Sequence, residues 1–169
     1  MFRQPVQTAN VKDGYEWRGE INLRLTVLDR SNLGACAHLF RRVFSAAPWF
    51  DRYEYEGQVE DFLSRYLELD TALTAVVMEE EKPVALCVGT LVPWIRGWEY
   101  LIDEFCVAPE IQGRGVGGWL LEQAAELARK RGANALLLST QREYPAYRFY
   151  LQHSFLPINT ELLGRELLD

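Results

Sequence analysis

Basic charge is in short supply. Lysine and arginine together number 18 against 24 acidic residues, a formal net charge of −6. Nucleic acid recruits basic surfaces, so it is not an expected partner. A cationic substrate such as an amine fits that charge better. Metal-binding side chains are also sparse. Cys36, Cys87 and Cys106 are odd in number and lack C-x-x-C spacing, which excludes a disulfide framework and a zinc knuckle. His38 and His153 share no ligand spacing, so no metal is expected. Long apolar runs are missing too. The N-terminus is polar, without a signal-peptide core. The longest apolar stretch, Val84 to Ile95, holds a Gly and a Pro and is too short to span a bilayer. The expectation is a cytoplasmic protein with no membrane partner.

What is present suits one folded domain over residues 1–169, with 1–20 as a loose arm. Ile21, Leu23, Leu25 and Val27 alternate with polar residues and predict a strand. Asp29, Ser31 and Asn32 offer N-caps for a helix over Leu33–Phe44. Gln58–Leu69 reads as a second helix. Ala72–Glu79 and Val84–Leu91 read as a hairpin around the turn Glu80–Pro83. Arg96-Gly97 is another turn, and Glu99–Val107 a central fourth strand. Val116–Arg131 is the clearest helix; it ends in basic residues and Gly132, which suit a helix C-terminus. Ala135–Ser139 reads as a fifth strand and Pro145–Gln152 as a short helix. Phe155–Ile158 and Glu161–Leu167 read as closing strands, whose exposure would allow a homodimer. The order predicts an α/β fold with a mixed sheet.

Four glycines, Gly113, Gly115, Gly117 and Gly118, crowd the junction between the fourth strand and its helix. Without a Cβ, glycine lets an anion approach the backbone. The first N–H groups of a helix lack intrahelical partners and lie at its positive end. Such a turn is a phosphate cradle, and Arg114 adds a cation. Gly113-x-Gly115-x-x-Gly118 formally matches the dinucleotide fingerprint, but it comes late in the chain. The next strand ends in Ser139-Thr140 rather than in the acid a ribose needs. No Lys-Ser/Thr follows, so a Walker A loop fails as well. A tight turn without any ligand stays open on the glycines alone.

The longer run Val107-Ala-Pro109-Glu-Ile-Gln112-Gly-Arg-Gly115-Val-Gly117 resembles the GNAT acetyltransferase signature, Gln/Arg-x-x-Gly-x-Gly/Ala. Downstream, Pro145-Ala146-Tyr147-Arg-Phe149-Tyr150-Leu-Gln-His-Ser-Phe155 resembles that family's Ala-x-x-Phe-Tyr…Gly-Phe segment. It departs at Ser154, where the family usually has Gly. Thr140 also departs, where many relatives carry an Asn a little further on. The specific motifs cover residues 99–155.

The resemblance implies a single-domain fold with a mostly antiparallel twisted sheet, splayed around strand four and flanked by about four helices. It implies acetyl-coenzyme A as cofactor, held by Gln112, Gly113, Arg114, Gly115, Val116, Gly117 and Gly118. The strand end Phe105-Cys106-Val107 would pair with the pantetheine amides. A free N–H near Val107 would polarise the thioester carbonyl.

Acetyl transfer to an amine also needs a base and an acid. Asp103 and Glu104 are adjacent and should point to opposite faces of a strand, so one of them is expected to face the acceptor. Acids within an apolar strand are costly unless useful. Tyr150 aligns with the family tyrosine that protonates the departing thiolate, with Tyr147 as its understudy or as a wall for the pantetheine. Trp49, Tyr53 and Trp94 lie in regions that flank the acceptor cleft in such folds. Glu54, Glu56, Glu60 and Asp61 would make that cleft acidic, to suit a small cationic or peptide amine. The rival reading is a non-catalytic coenzyme A-binding module.

Overall fold

The computed structural model describes residues 22–167, which form two compact units meeting in sequence at Ser139/Thr140. The expected arm over residues 1–20 lies outside the described residues, as does Ile21. In the first unit β1 (Leu23–Thr26), β2 (Ala72–Glu79), β3 (Lys82–Trp94), β4 (Gly97–Val107) and β5 (Ala133–Leu138) form one sheet, in chain order. The first three pairings are antiparallel and β4–β5 is parallel. The mixed, mostly antiparallel sheet is therefore as expected.

Three helices belong to this unit: α1 (Leu33–Phe44), α2 (Gln58–Ser64) and α3 (Val116–Lys130). Asp29 starts α1 by accepting the Ser31 and Asn32 amides at 2.8 and 3.1 Å. One face of α1 is apolar and buried, through Cys36, Leu39, Phe40 and Val43. α1 and α3 both pack on β3. Residues Pro83 to Gly89 of β3 are accordingly buried without alternation, as in a strand covered on both sides. The second helix differs from expectation: after Ser64 the chain tightens into a 3-10 turn, Arg65–Leu67. That turn buries the Tyr66 ring, which Phe62 meets edge-on at 5.5 Å.

Strand β4 departs from a regular ladder in two places. First, β5 stops early. The β4–β5 register runs from Trp98↔Ala133 to Ile102↔Leu138 and ends there. Among the described residues no strand covers that edge of β4 from Asp103 to Val107. Second, β4 carries a bulge against β3. Gly89 faces Ile102 and Val88 faces Glu104, which leaves Asp103 as an extra residue.

The second unit holds α4 (Pro145–Gln152), with Pro145 in its first turn. The two closing strands expected over Phe155–Ile158 and Glu161–Leu167 are not formed; residues 155–167 carry no strand. Their alternation is weak, and Pro157 and Gly164 interrupt it. Leu156, Ile158, Leu162, Leu163 and Leu167 are exposed there. The homodimer expectation thus loses the strands on which it rested.

Candidate active site

The expected phosphate turn has the backbone its glycines allow. After β4 a 3-10 turn, Pro109–Ile111, buries Ile111 and leads to Gln112. Gly113 and Gly115 then take left-handed φ values of +74° and +84°. Side chains rarely adopt that region, so glycine is demanded by conformation at both positions. Gly115 is the N-cap of α3, and no side chain caps the helix. A Cβ on Gly113 would meet nothing within 4 Å, so the space before this turn is open. Gln112, Gly113, Arg114 and Gly115 are exposed, whereas Val116 is buried and anchors the helix start. Exposed amides at a helix N-terminus beside an open space fit a pyrophosphate.

The end of β4 lies just before this turn. The Ala108 amide donates to the Val84 carbonyl at 2.8 Å, so it points toward β3. Strand amides alternate, so the Val107 N–H and C=O point to the opposite edge. Gln112 Nε2 donates to that Val107 carbonyl at 2.9 Å. The signature glutamine thus ties the turn to the strand, and the Val107 N–H beside it faces the uncovered edge. Phe105 and Val107 are half-buried and Cys106 is buried. Burial pushes the Cys106 thiol far up, with Glu104 adding to it. That rules against Cys106 as a nucleophile.

The two acids separate by environment. Asp103 is exposed and accepts the Tyr66 hydroxyl at 3.0 Å. Burial raises its pKa and the Tyr66 bond lowers it, with a net rise. Glu104 is half-buried, and its carboxyl is raised to about 7 by burial, then by the negative charges of Asp51 and Asp103. A carboxyl poised there can exchange a proton near neutrality. The bulge qualifies the expected alternation: it shifts the faces of all residues from Glu104 onward relative to those before it.

Of the expected acceptor residues, Tyr53 stands in the electrostatic environment of Glu104. Its phenol is raised to about 12 by burial, then by Asp51 and Glu104. The Tyr53 hydroxyl is buried without a hydrogen-bond partner. Arg41 of α1 lies 5.6 Å over the Tyr53 ring and donates to the Glu56 carbonyl at 2.7 Å, clamping the segment between α1 and α2. Trp49 packs edge-on against Phe44 at 5.2 Å, which ties it to the α1 core. Trp94 lies at the tip of the β3–β4 hairpin and is exposed. Among the expected acidic rim, Asp61 accepts the Tyr55 hydroxyl at 2.9 Å.

Sequence reasoning passed over Asp51, Tyr66, Arg41 and Gly89. Only Gly89 carried a local signal, a glycine within a β-forming run. The other three are joined to the site by the fold, across 37 residues in the case of Tyr66 and Asp103.

Tyr147 and Tyr150 stand on α4, half-buried and buried. The helix ends in a Schellman arrangement. The Phe155 amide reaches the Tyr150 carbonyl at 3.1 Å, and the Ser154 amide the Leu151 carbonyl at 3.3 Å. Ser154 is left-handed, with φ +66°. The Tyr150 and Phe155 rings meet at 5.5 Å. The Phe-Tyr…Ser-Phe spacing is therefore a helix stop that fixes the Tyr150 backbone.

Among the described residues no group of three His, Cys, Asp or Glu is placed to hold a metal. No helix among them is long and apolar enough to cross a membrane.

Solved structures share this fold. A transcriptional regulator from Bacillus halodurans C-125 superposes with a TM-score of 0.71 at 21% identity, covering 86% of this chain and 99% of that one. A ribosomal-protein-alanine N-acetyltransferase from Brucella melitensis biovar Abortus 2308 gives 0.72 at 16% identity, covering 85% and 99%. An aminoglycoside N-acetyltransferase solved with coenzyme A gives 0.71 at 11% identity, covering 90% and 99%. At such identities the likeness is one of fold. No curated protein sequence matches the chain. The family model for the acetyltransferase (GNAT) family matches residues 34–155, running through both units. The chain belongs to the GNAT acetyltransferase family.

Proposed function

We propose that the protein transfers an acetyl group from acetyl-coenzyme A to a primary amine, directly, in a ternary complex. The observation that carries this is the uncovered edge of β4 after Ile102, running into a left-handed glycine turn at the start of α3. An extended pantetheine can lie along that edge as an added strand. The amides from Gly113 to Gly118 would take the pyrophosphate, with Arg114 as an outer cation. Phe105 and Cys106 contribute backbone, and the Val107 N–H is aimed where a thioester oxygen gains charge. Gln112 keeps the Val107 peptide turned that way through its bond to the carbonyl.

The amine nitrogen attacks the thioester carbon and must lose a proton. Glu104 takes it, directly or through a water, since its carboxyl is held near 7. The carbon–sulfur bond breaks, and the Tyr150 phenol gives its proton to the thiolate. Tyr150 carries that role on its motif position and its chemistry, with Tyr147 as its understudy or as a wall for the pantetheine. Asp103 shapes the field at Glu104 rather than taking the proton, because the Tyr66 hydroxyl already occupies one of its oxygens. Tyr53 and Asp51 favour a cationic acceptor. Trp49 and Trp94 bear on that cleft only through its borders. Relatives of this fold act on an aminoglycoside and on a ribosomal-protein alanine. A small cationic amine or a peptide amine is the corresponding acceptor class.

Release of free coenzyme A thiol, measured over a panel of polyamines, aminoglycosides, amino acids and peptides, tests the proposal. Turnover with at least one amine, lowered in Tyr150→Phe, is expected. Tight binding of coenzyme A without turnover by the wild-type protein would instead favour a non-catalytic coenzyme A-binding module.

A further inference from the structure

Gly89 lies in the middle of β3, where glycine weakens a strand unless another backbone comes close. A Cβ there would overlap the Leu101 carbonyl oxygen and stand 2.9 Å from Ile102 Cα. Both are backbone atoms, so no side-chain rotation relieves the overlap. The Tyr100 ring closes over the same spot, with Cε2 at 2.9 Å. Tyr100 cannot swing away freely, because its hydroxyl donates to the Leu73 carbonyl at 2.9 Å in the core.

This close approach falls where the β3–β4 register slips. Gly89 faces Ile102, Val88 faces Glu104, and Asp103 is the residue left over. In a regular ladder Asp103 would face Val88 and Glu104 would face Cys87. Glu104 would then share a face with Tyr100 and Ile102, which are 0% and 4% exposed. A carboxylate there would stand in the apolar core rather than near Asp51 and Tyr53.

We infer that Gly89 is a positioning residue of the active site: it lets the β4 backbone come close enough for the bulge at Asp103 to form, and the bulge turns Glu104 to the acceptor side. The catalytic meaning of this rests on the reading of Glu104 as the base. The geometry does not, so it can be tested apart from turnover.

The experiment tracks the Glu104 carboxyl by carbon NMR in the full chain, assigned by its loss in Glu104→Gln, together with the melting temperature. The proteins compared are wild type, Gly89→Ala, and Gly89→Ala with Asp103 deleted. Deletion of the extra residue leaves Val88 facing Glu104 and restores a regular ladder, in which an alanine at 89 has room. Gly89→Ala is expected to melt lower and to move the Glu104 midpoint further up from about 7, because the carboxyl is turned toward the apolar core. The deletion is expected to recover most of the melting temperature and to bring the midpoint back down. An unchanged melting temperature and midpoint in Gly89→Ala would overturn the inference. So would a failure of the deletion to recover either. Should Gly89→Ala not fold, the deletion decides: folded protein supports the inference, unfolded protein overturns it. A wild type with the raised midpoint but no turnover on any amine would sink the functional reading and leave this one standing.

Discussion

Glu104 sits half-buried beside Asp51 and Asp103, and its carboxyl is raised from an ordinary value of 4.5 to about 7. Between those values the folded chain holds a proton that the unfolded chain has released, so stability falls as pH rises through that window. The proposed role as base asks for the opposite state, the ionised carboxylate. Two outcomes belong to this one side chain. In Glu104→Gln, kcat should fall about 100-fold, as for loss of a general base. In the same variant the loss of melting temperature between pH 5 and pH 8 should shrink, because the cost of ionising the carboxyl is gone. Scanning calorimetry at the two pH values checks the second outcome without any substrate. The adjacent acids were visible in the sequence as a pair. Their different environments were not, because these depend on Tyr66 and Asp51, which approach only in the fold.

At the scale of elements, the helix ends were the most legible parts of the chain. Gly132 closes α3 at φ +88°, as its place after a basic run implies. Gly113 and Gly115 open the same helix. An alanine at 113 finds open space, so its cost is conformational, about 1–2 kcal/mol for a left-handed residue. Gly113→Ala should therefore raise the KM for acetyl-coenzyme A about tenfold, with kcat affected less; steady-state kinetics at saturating amine measures it. Ser154 was visible as a departure from the family pattern, and its φ of +66° says what the usual glycine is for. Ser154→Gly should add up to about 1 kcal/mol to stability, read as a higher denaturant midpoint. Less legible were the 3-10 turn at Arg65–Leu67 and the irregular course of residues 155–167. A run of apolar residues predicts burial only if a neighbouring element arrives to cover it, and that is not written locally.

For the molecule as a whole, the order of elements and the mixed sheet followed from pattern and motif. The bulge did not, since one extra residue in a ladder leaves hydrophobic periodicity almost intact. Charge acts at this scale too. Asp29 is lowered, first by the Ser31 hydroxyl bond, and Glu110 is lowered, first by its own backbone amide. Their contributions are present above the ordinary carboxylate range and are lost as pH falls through it. Glu104 works in the reverse sense up to about 7. Stability should therefore peak at the lower edge of the Glu104 window, near its ordinary value of 4.5, and activity should still rise past about pH 7. Parallel pH profiles of melting temperature and kcat/KM would reveal the offset; coincident optima would count against Glu104 as the base.

The early end of β5 also governs the exchange of backbone protons with solvent. Ala108 donates to Val84, so its amide hydrogen is locked in the ladder. Val107, one residue earlier, turns its N–H to the edge that β5 leaves uncovered. Protection should thus switch between neighbours: slow deuterium uptake at Ala108, fast uptake at Val107. A ligand lying along that edge would slow the second and leave the first unchanged. That single amide would report occupancy of the site before any acceptor is known.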